Sequence, residues 1–419
     1  MSIATEQQQQ IKIDVAYYSG EDQEKLATYP DARAIDEAVR AGVSIPTAEF
    51  LTYYLLHRKK LGTSRYDSFR TISSQIGTAL AQLEGAIRFT GSSIATEHNV
   101  QSQLPEVSEH VGEAAGLSVI SRIHGLTDAD WAIIPVRGGP EGAPTFDFSI
   151  AATANRIVEV ETKGSSVDDN SRLSDPLYKH ASDIRRKKRS MAGSASATNS
   201  ALPAAVRYGT IAALDDRATS VARCWLLDPE PSAGSDSPQR RRLLTRMRFL
   251  RDWLVFVGPT TALATAIVNR VNELERLPDM APLDRARLLR PDGRPISLGP
   301  KHWWSRSPFL ATRSHVTDGP AAGQVFRVSD HALFFAGIRQ DLAELAASQS
   351  FSDIAAYAMP TASTRKTVEC VVTRRRLEEL RLPDAIVSGR PERGPYVSFR
   401  LHGLLHYSSG GIVFGVLPL

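Results

Sequence analysis

Between Ile157 and Lys163 the chain reads Ile-Val-Glu-Val-Glu-Thr-Lys. The strand period of two puts Glu159, Glu161 and Lys163 on one face and Val158, Val160 and Thr162 on the other. Three ionisable groups in a row, backed by an apolar face, are costly inside a sheet unless a metal, a ligand or water faces them. Asp147 lies between Phe146 and Phe148 on the preceding strand, so its side chain points away from those two rings, and hairpin pairing would bring it beside Glu161. Two converging carboxylates repel unless a hard divalent cation sits between them, which points to Mg²⁺, with Mn²⁺ as a substitute. Phosphodiester hydrolysis needs an activated water, a ligand for the non-bridging oxygen and stabilisation of developing charge. In that chemistry Asp147 and Glu161 hold the metal, and Lys163 orients the water and offsets charge on the phosphate.

The elements that must position these groups can be read from the flanking text. Pro105 suits a helix start and Gly116 a helix end, with Glu106, Glu109 and Glu113 between them. Ser118–Ile123 and Trp131–Val136 are short β-rich runs. Thr145–Ala152 and Arg156–Lys163 are strands joined by Thr153-Ala154-Asn155, a hairpin-length link that predicts antiparallel pairing. After the turn-rich Gly164–Pro176, Leu177–Met191 reads as a basic helix, and Arg207–Leu214 and Ser220–Leu227 as two more strands. Upstream, Ile11, Ile13 and Val15 alternate like a strand before helical text at Ala34–Ala41 and Phe69–Ile87. Residues 1–100 are thus expected to form a separate, mostly helical domain or partner-binding lobe, closed by a linker at Gly91-Ser92-Ser93 and Thr96–Gln103. Asp228–Pro238 is a second boundary, beyond which helices over Arg240–Leu277, broken at Gly258-Pro259, and late strands at Tyr396–Leu401 and Gly411–Leu417 indicate an α+β domain.

Composition narrows the field. The formal charge is only +4, but Arg185-Arg186-Lys187-Lys188-Arg189, Arg240-Arg241-Arg242, Arg246, Arg248 and Arg251 concentrate positive charge mid-chain, as a polyphosphate partner requires. Two cysteines, Cys224 and Cys370, are too few for a thiolate zinc site or a disulfide framework. The start of the chain carries no secretory pattern, and Leu254–Val268 falls short of a bilayer span, so a cytoplasmic protein with no membrane association is expected. No phosphate-binding Walker loop, dinucleotide fingerprint or serine nucleophile elbow occurs. His402 and His406 have zinc-helix spacing but lack the glutamate and alternate like a strand, while Lys301-His302-Trp303-Trp304 reads as a core edge or domain interface.

The Asp147, Glu161 and Lys163 set, within the order helix, strands, helix, strands, resembles the PD-(D/E)xK superfamily of restriction endonuclease-like enzymes over residues 105–228. The resemblance implies an α/β chain whose 101–230 region is a restriction endonuclease-like mixed β-sheet core flanked by helices. A mostly helical region would precede it at 1–100, and an α+β domain would follow at 231–419. It also implies that a helix acid joins the metal site, here Glu109 first and Glu113 second. Basic groups of the following helix, Lys179, Arg185, Arg186, Lys187 and Lys188, would then face DNA. Two departures stand out: Phe146 replaces the motif's proline, and Glu159 offers a second acid on the Glu161 face. The implied activity is Mg²⁺-dependent cleavage of DNA, with a role in restriction or anti-phage defence by resemblance alone and with a protein partner or homodimer compatible with it. The competing expectation is a non-catalytic nucleic-acid-binding or assembly module that keeps the fold.

Overall fold

Ile11, Ile13 and Val15 alternate with polar residues and form β1 (Gln10–Tyr17), each buried to 4 % exposure or less. The computed structural model describes residues 10–57, 69–97, 105–133, 149–195, 206–217, 220–227, 237–258, 261–296, 310–312, 321–382 and 396–419. After β1 come α1 (Gly20–Ala27), α2 (Ala32–Ala41), β2 (Val43–Pro46), α3 (Thr47–Thr52), α4 (Phe69–Ala86) and the hairpin of β3 (Ile87–Thr90) and β4 (Ser93–Thr96). Next in the chain are α5 (Pro105–His124), β5 (Trp131–Ile133), β6 (Ser149–Ala152), β7 (Ile157–Ser166), α6 (Asp175–Ala195), β8 (Val206–Leu214) and β9 (Ala222–Leu227). The helices α7 (Pro238–Val257) and α8 (Ala262–Arg276) follow.

The chain is α/β, and a mixed sheet flanked by helices carries its centre. Seven strands pair in the order β2-β1-β9-β8-β7-β6-β5. β5, β6 and β7 form an antiparallel meander, β8 returns parallel to β7, and β9 turns back antiparallel to β8. A parallel return needs a crossover of a dozen residues or so, and α6 supplies it. Leu177, Ala181 and Ile184 of α6 pack on Ile211 and Ala213 of β8 and on Trp225 and Leu227 of β9. On the opposite face α5 lies close against β7 and β8. A β-carbon on Gly112 would stand 2.3 Å from the Gly164 Cα, and one on Gly164 would stand 1.7 Å from the Ser108 carbonyl oxygen.

Two sequence expectations change here. Gly116 does not end α5: a β-carbon there would meet Thr210 Oγ1 at 2.4 Å and the Thr162 methyl at 2.8 Å, so this glycine serves helix-to-sheet approach. The helix runs on through Ser118–Ile123, read above as a strand, and stops at Gly125, whose φ of +62° is the left-handed C-terminal conformation. The 1–100 domain is also redrawn. β1 pairs in parallel with β9 and antiparallel with β2, so the N-terminal strands extend the sheet that contains β7. One compact unit lies within 9–54 and 81–245, and a second takes up 55–80 and 246–419.

The second unit contains a closed six-stranded barrel, ordered β10 (Leu310–Thr312), β11 (Ala321–Ser329), β12 (Ala332–Arg339), β15 (Ile412–Pro418), β14 (Tyr396–Tyr407) and β13 (Ala362–Thr373). Its interior is filled by Val325, Leu333, Phe335, Val368, Cys370 and Leu401 among others. Helices α9 (Gln340–Ser348), α10 (Phe351–Ala356) and α11 (Arg374–Leu380) complete the α+β character expected of this region. Among the described residues no helix is long and apolar enough to cross a membrane.

One buried acid couples the sheet-bearing unit to pH. Glu49 on α3 is 8 % exposed, and burial pushes its carboxyl up to about 7, against the pull of Arg122 and helped by Asp128. An unfolded glutamate ionises near ~4.3, so between that pH and about 7 the folded chain holds a proton that the unfolded chain has lost, and stability falls as pH rises. Glu49→Gln is expected to raise stability by roughly 1–3 kcal/mol at about pH 8 and to leave it nearly unchanged at about pH 4. Urea denaturation at the two pH values checks this, and an equal shift at both would reject the titration as its cause.

Candidate active site

β7 lies between antiparallel β6, where Ser149 opposes Val160, and parallel β8, where Glu161 aligns with Gly209 and Lys163 with Ile211. Val158 and Val160 are buried at 0 and 1 % exposure, and Thr162 and Gly164 meet α5 on that same face. The other face turns Glu159, Glu161 and Lys163 toward α6, as the pleat requires. That half of the sequence reading is observed as stated.

Glu161 is 1 % exposed. Its Oε1 receives the Lys163 ammonium at 3.1 Å and the Lys187 ammonium of α6 at 3.3 Å. Its Oε2 is buried and has no hydrogen-bond partner among the described residues. Burial holds the Glu161 carboxyl above the usual range, and Lys163 and then Lys187 pull it back. One carboxylate oxygen therefore faces two ammoniums, while the other keeps a lone-pair set that suits a hard cation.

Glu159, the competing second acid, is committed elsewhere. Arg207 of β8 donates from Nε to its Oε2 at 2.8 Å, and burial raises its pKa against the pull of Arg207 and Arg241. A carboxylate held by a guanidinium on the neighbouring strand is a sheet-internal ion pair, so Glu161 alone of the two remains open to a ligand. Asp147 lies outside the described residues. Opposed residues on antiparallel strands share a face, and Ser149 opposes Val160. Ser149 thus lies on the Val160 face of β7, the face away from Glu161.

Glu109 of α5 is exposed and Glu113 is half-buried. The electrostatic neighbourhood of His180 on α6 links Glu109 to the site. Burial lowers the His180 pKa, Lys163 lowers it further, Asp183 raises it, and weaker influences come from Lys179 (lowering) and Glu109 (raising). His180, Lys163 and Glu109 thus share one neighbourhood, whereas the sequence left His180 between assisting catalysis and satisfying a local hydrogen bond, with the second preferred. Its signal was available: His180, Ile184 and Lys187 follow the i, i+4, i+7 spacing of one helix stripe, and Ile184 is fully buried.

The basic residues of α6 divide by face. Lys179 and Arg186 are exposed, and Arg186 also pairs with Asp183 at 2.8 Å. Arg185 donates to buried Asp22 at 2.9 Å and stacks over the Tyr18 ring, which ties it to α1 as a structural contact. Lys187 is drawn into the Glu161 cluster, and Lys188 is half-buried. Several later arginines have partners in the fold: Arg242 holds Asp130 at 3.0 Å, and Arg246, 2 % exposed, donates to the carbonyls of Ile354 and Tyr357. Arg248 pairs with Glu275, and Arg251 with Asp252. Lys301-His302-Trp303-Trp304 lies outside the described residues.

Among the described residues no group of three His, Cys, Asp or Glu side chains is placed to hold a metal ion. The donor that fits a hard cation is the buried, unpartnered Oε2 of Glu161. Comparison of the chain with family models, with curated proteins and with solved structures finds no match in any of the three.

Proposed function

We propose that the chain is a metal-dependent nuclease of the PD-(D/E)xK type that hydrolyses DNA phosphodiester bonds. The observation that carries the reading is Glu161: a carboxylate at 1 % exposure, with one oxygen unpartnered and the ammonium of Lys163 on the other at 3.1 Å. The succession α5, the β5–β7 meander, α6 and the parallel strand β8 supports it, since helix, strands, helix, strand is the order of that superfamily's core.

Asp147 and Glu161 would hold Mg²⁺, with Glu109 or Glu113 as the helix contribution. When bound, the ion supplies polarisation of the scissile phosphate and a lowered pKa for the attacking water. Lys163, relieved of part of its hold on Glu161, donates to the phosphate and orients the water. Lys187, from the facing helix, adds a second ammonium where negative charge grows, and such placed charges count for more in a partly dry site. Exposed Lys179 and Arg186 lie on the helix that would follow the DNA backbone. A place in restriction or defence, a cytoplasmic setting and a dimeric assembly belong to the same proposal.

The test is cleavage of plasmid and single-stranded DNA with Mg²⁺, Mn²⁺ or chelator, comparing the native chain with Asp147→Ala at matched folded fraction. Metal-dependent cutting that drops by about a hundredfold or more in the variant is expected. The second reading, a nucleic-acid-binding module without catalysis, is favoured by the way Lys163 and Lys187 already satisfy Glu161 Oε1. Absence of cutting by the native chain, with DNA affinity retained in Asp147→Ala, would select it.

A further inference from the structure

Beyond α8 the chain reads Asp284-Arg-Ala-Arg-Leu-Leu-Arg-Pro-Asp-Gly-Arg-Pro-Ile296. Pro291 presets the first corner of a turn, and Gly293, at φ +78°, takes the left-handed position that completes it. The Gly293 N–H donates to the Arg290 carbonyl at 2.9 Å, and the Arg290 N–H to the Arg294 carbonyl at 2.8 Å. Behind that pair Leu289 bridges to Pro295, and the Ile296 N–H reaches the Leu288 carbonyl at 2.9 Å. The segment is therefore a short hairpin with Pro-Asp-Gly at its tip.

Its base is anchored. Arg270 of α8 donates to the carbonyls of Leu283 at 3.3 Å and Ala286 at 3.0 Å. The Arg285 N–H donates to the Gln349 carbonyl at 2.7 Å, and the Leu288 N–H to the Ala347 carbonyl at 3.0 Å. Leu288 and Ile296 are buried, at 3 and 5 % exposure.

We infer that this hairpin is a docking arm for the sugar–phosphate backbone of a nucleic acid. Arg285, Arg287, Arg290 and Arg294 are all exposed, and among the described residues none of these four guanidiniums has an ion pair or a hydrogen bond. The neighbouring carboxylates are taken up by main-chain N–H groups, Asp284 by Phe351 at 2.9 Å and Asp292 by Arg294 at 3.1 Å. Arg290 and Arg294 oppose each other across the hairpin, where opposed side chains share a face. Like charges set opposite one another repel. A row of phosphates relieves that repulsion and offers each guanidinium fork two acceptor oxygens. Four guanidiniums within residues 285–294 call for a partner with an anion at every repeat, which a polynucleotide has. Leu289, on the other face of the hairpin and 52 % exposed, gives an apolar edge against which a sugar ring can lie. The arm uses no residue of the Glu161 cluster, so it stands whether or not that site cuts DNA.

The experiment is titration of the full-length chain, in chelator, against a fluorescent DNA duplex and separately an RNA duplex of equal length, read by anisotropy over a series of salt concentrations. Arg290→Gln combined with Arg294→Gln is expected, at matched folded fraction, to weaken binding by about tenfold or more at ~0.1 M salt and to reduce the slope of log affinity against log salt by about 1–2. Arg365→Gln combined with Arg400→Gln, which removes the same charge from exposed positions on β13 and β14, should leave the slope nearly unchanged. A reduced slope with one duplex alone assigns the arm to that nucleic acid, and a reduced slope with both assigns it to the backbone they share. No binding of either duplex, an unchanged slope in the hairpin variant, or an equal loss in the two double variants overturns the inference.

Discussion

A Gly164→Val chain is expected to lose about 4 kcal/mol or more of folding stability, a large share of what a domain possesses. The β-carbon would land 1.7 Å from the Ser108 carbonyl oxygen and 2.9 Å from the Gly112 Cα, and both are main-chain atoms that cannot rotate away. Relief requires α5 to lift from β7, which opens the packing of Val158 and Val160 beneath it. The effect should be graded. Gly116→Ala meets the Thr210 and Thr162 side chains, which can yield, and should cost about 1–3 kcal/mol. Gly85→Ala, at an open helix position, should stabilise slightly, by up to ~1 kcal/mol. Denaturation midpoints of the three variants check the series, and a Gly164→Val chain as stable as the native one would refute the close approach of helix and strand.

The second large effect concerns the two ammoniums on Glu161. Each holds Oε1 and draws off carboxylate charge that a divalent ion on Oε2 would use, so removal of either should tighten Mn²⁺ binding. The lysines are 20 and 23 % exposed on their side chains, and solvent screening reduces the expected gain to about tenfold for each. Cleavage should separate them. Lys163→Met is expected to lower single-turnover cleavage by about a hundred- to ten-thousandfold, because in the proposed reaction Lys163 orients water and phosphate, and Lys187→Met by about tenfold or less. Mn²⁺ titration without DNA and cleavage with it supply independent readouts. Weaker Mn²⁺ binding in Lys187→Met would mean that Lys187 braces Glu161 instead of competing for it.

The chemistry-bearing face of β7 was legible because alternation in a strand is local: Val-Glu-Val-Glu-Thr-Lys fixes which side chains share a face before any partner strand is known. The hairpin to β6 and the crossover helix were legible for the same reason. What failed was non-local. Gly116 carries the same local signal whether it ends a helix or lets one approach a sheet, and only Thr162 and Thr210, on other elements, decide between the two. The partner of Arg185 is Asp22, in a segment that the sequence assigned to a different domain. Strand alternation alone puts Glu159 and Glu161 on one face and does not separate them, although the Glu-x-Lys spacing favours Glu161. They part company because Arg207, aligned with Glu159 across a parallel pair formed only after α6, claims one of them.

The pairing of β1 with β9 also bears on how the polypeptide is made. Ile13 aligns with Ala222, so β1 leaves the ribosome well before the strand it joins has been translated. At typical elongation rates this interval lasts on the order of 10–40 s, during which β1 and β2 must wait as a lone two-stranded pair, too small to be stable alone. A fragment starting near residue 101 would complete the Glu161 strand yet present the β9 edge bare, inviting another chain to fill the vacancy.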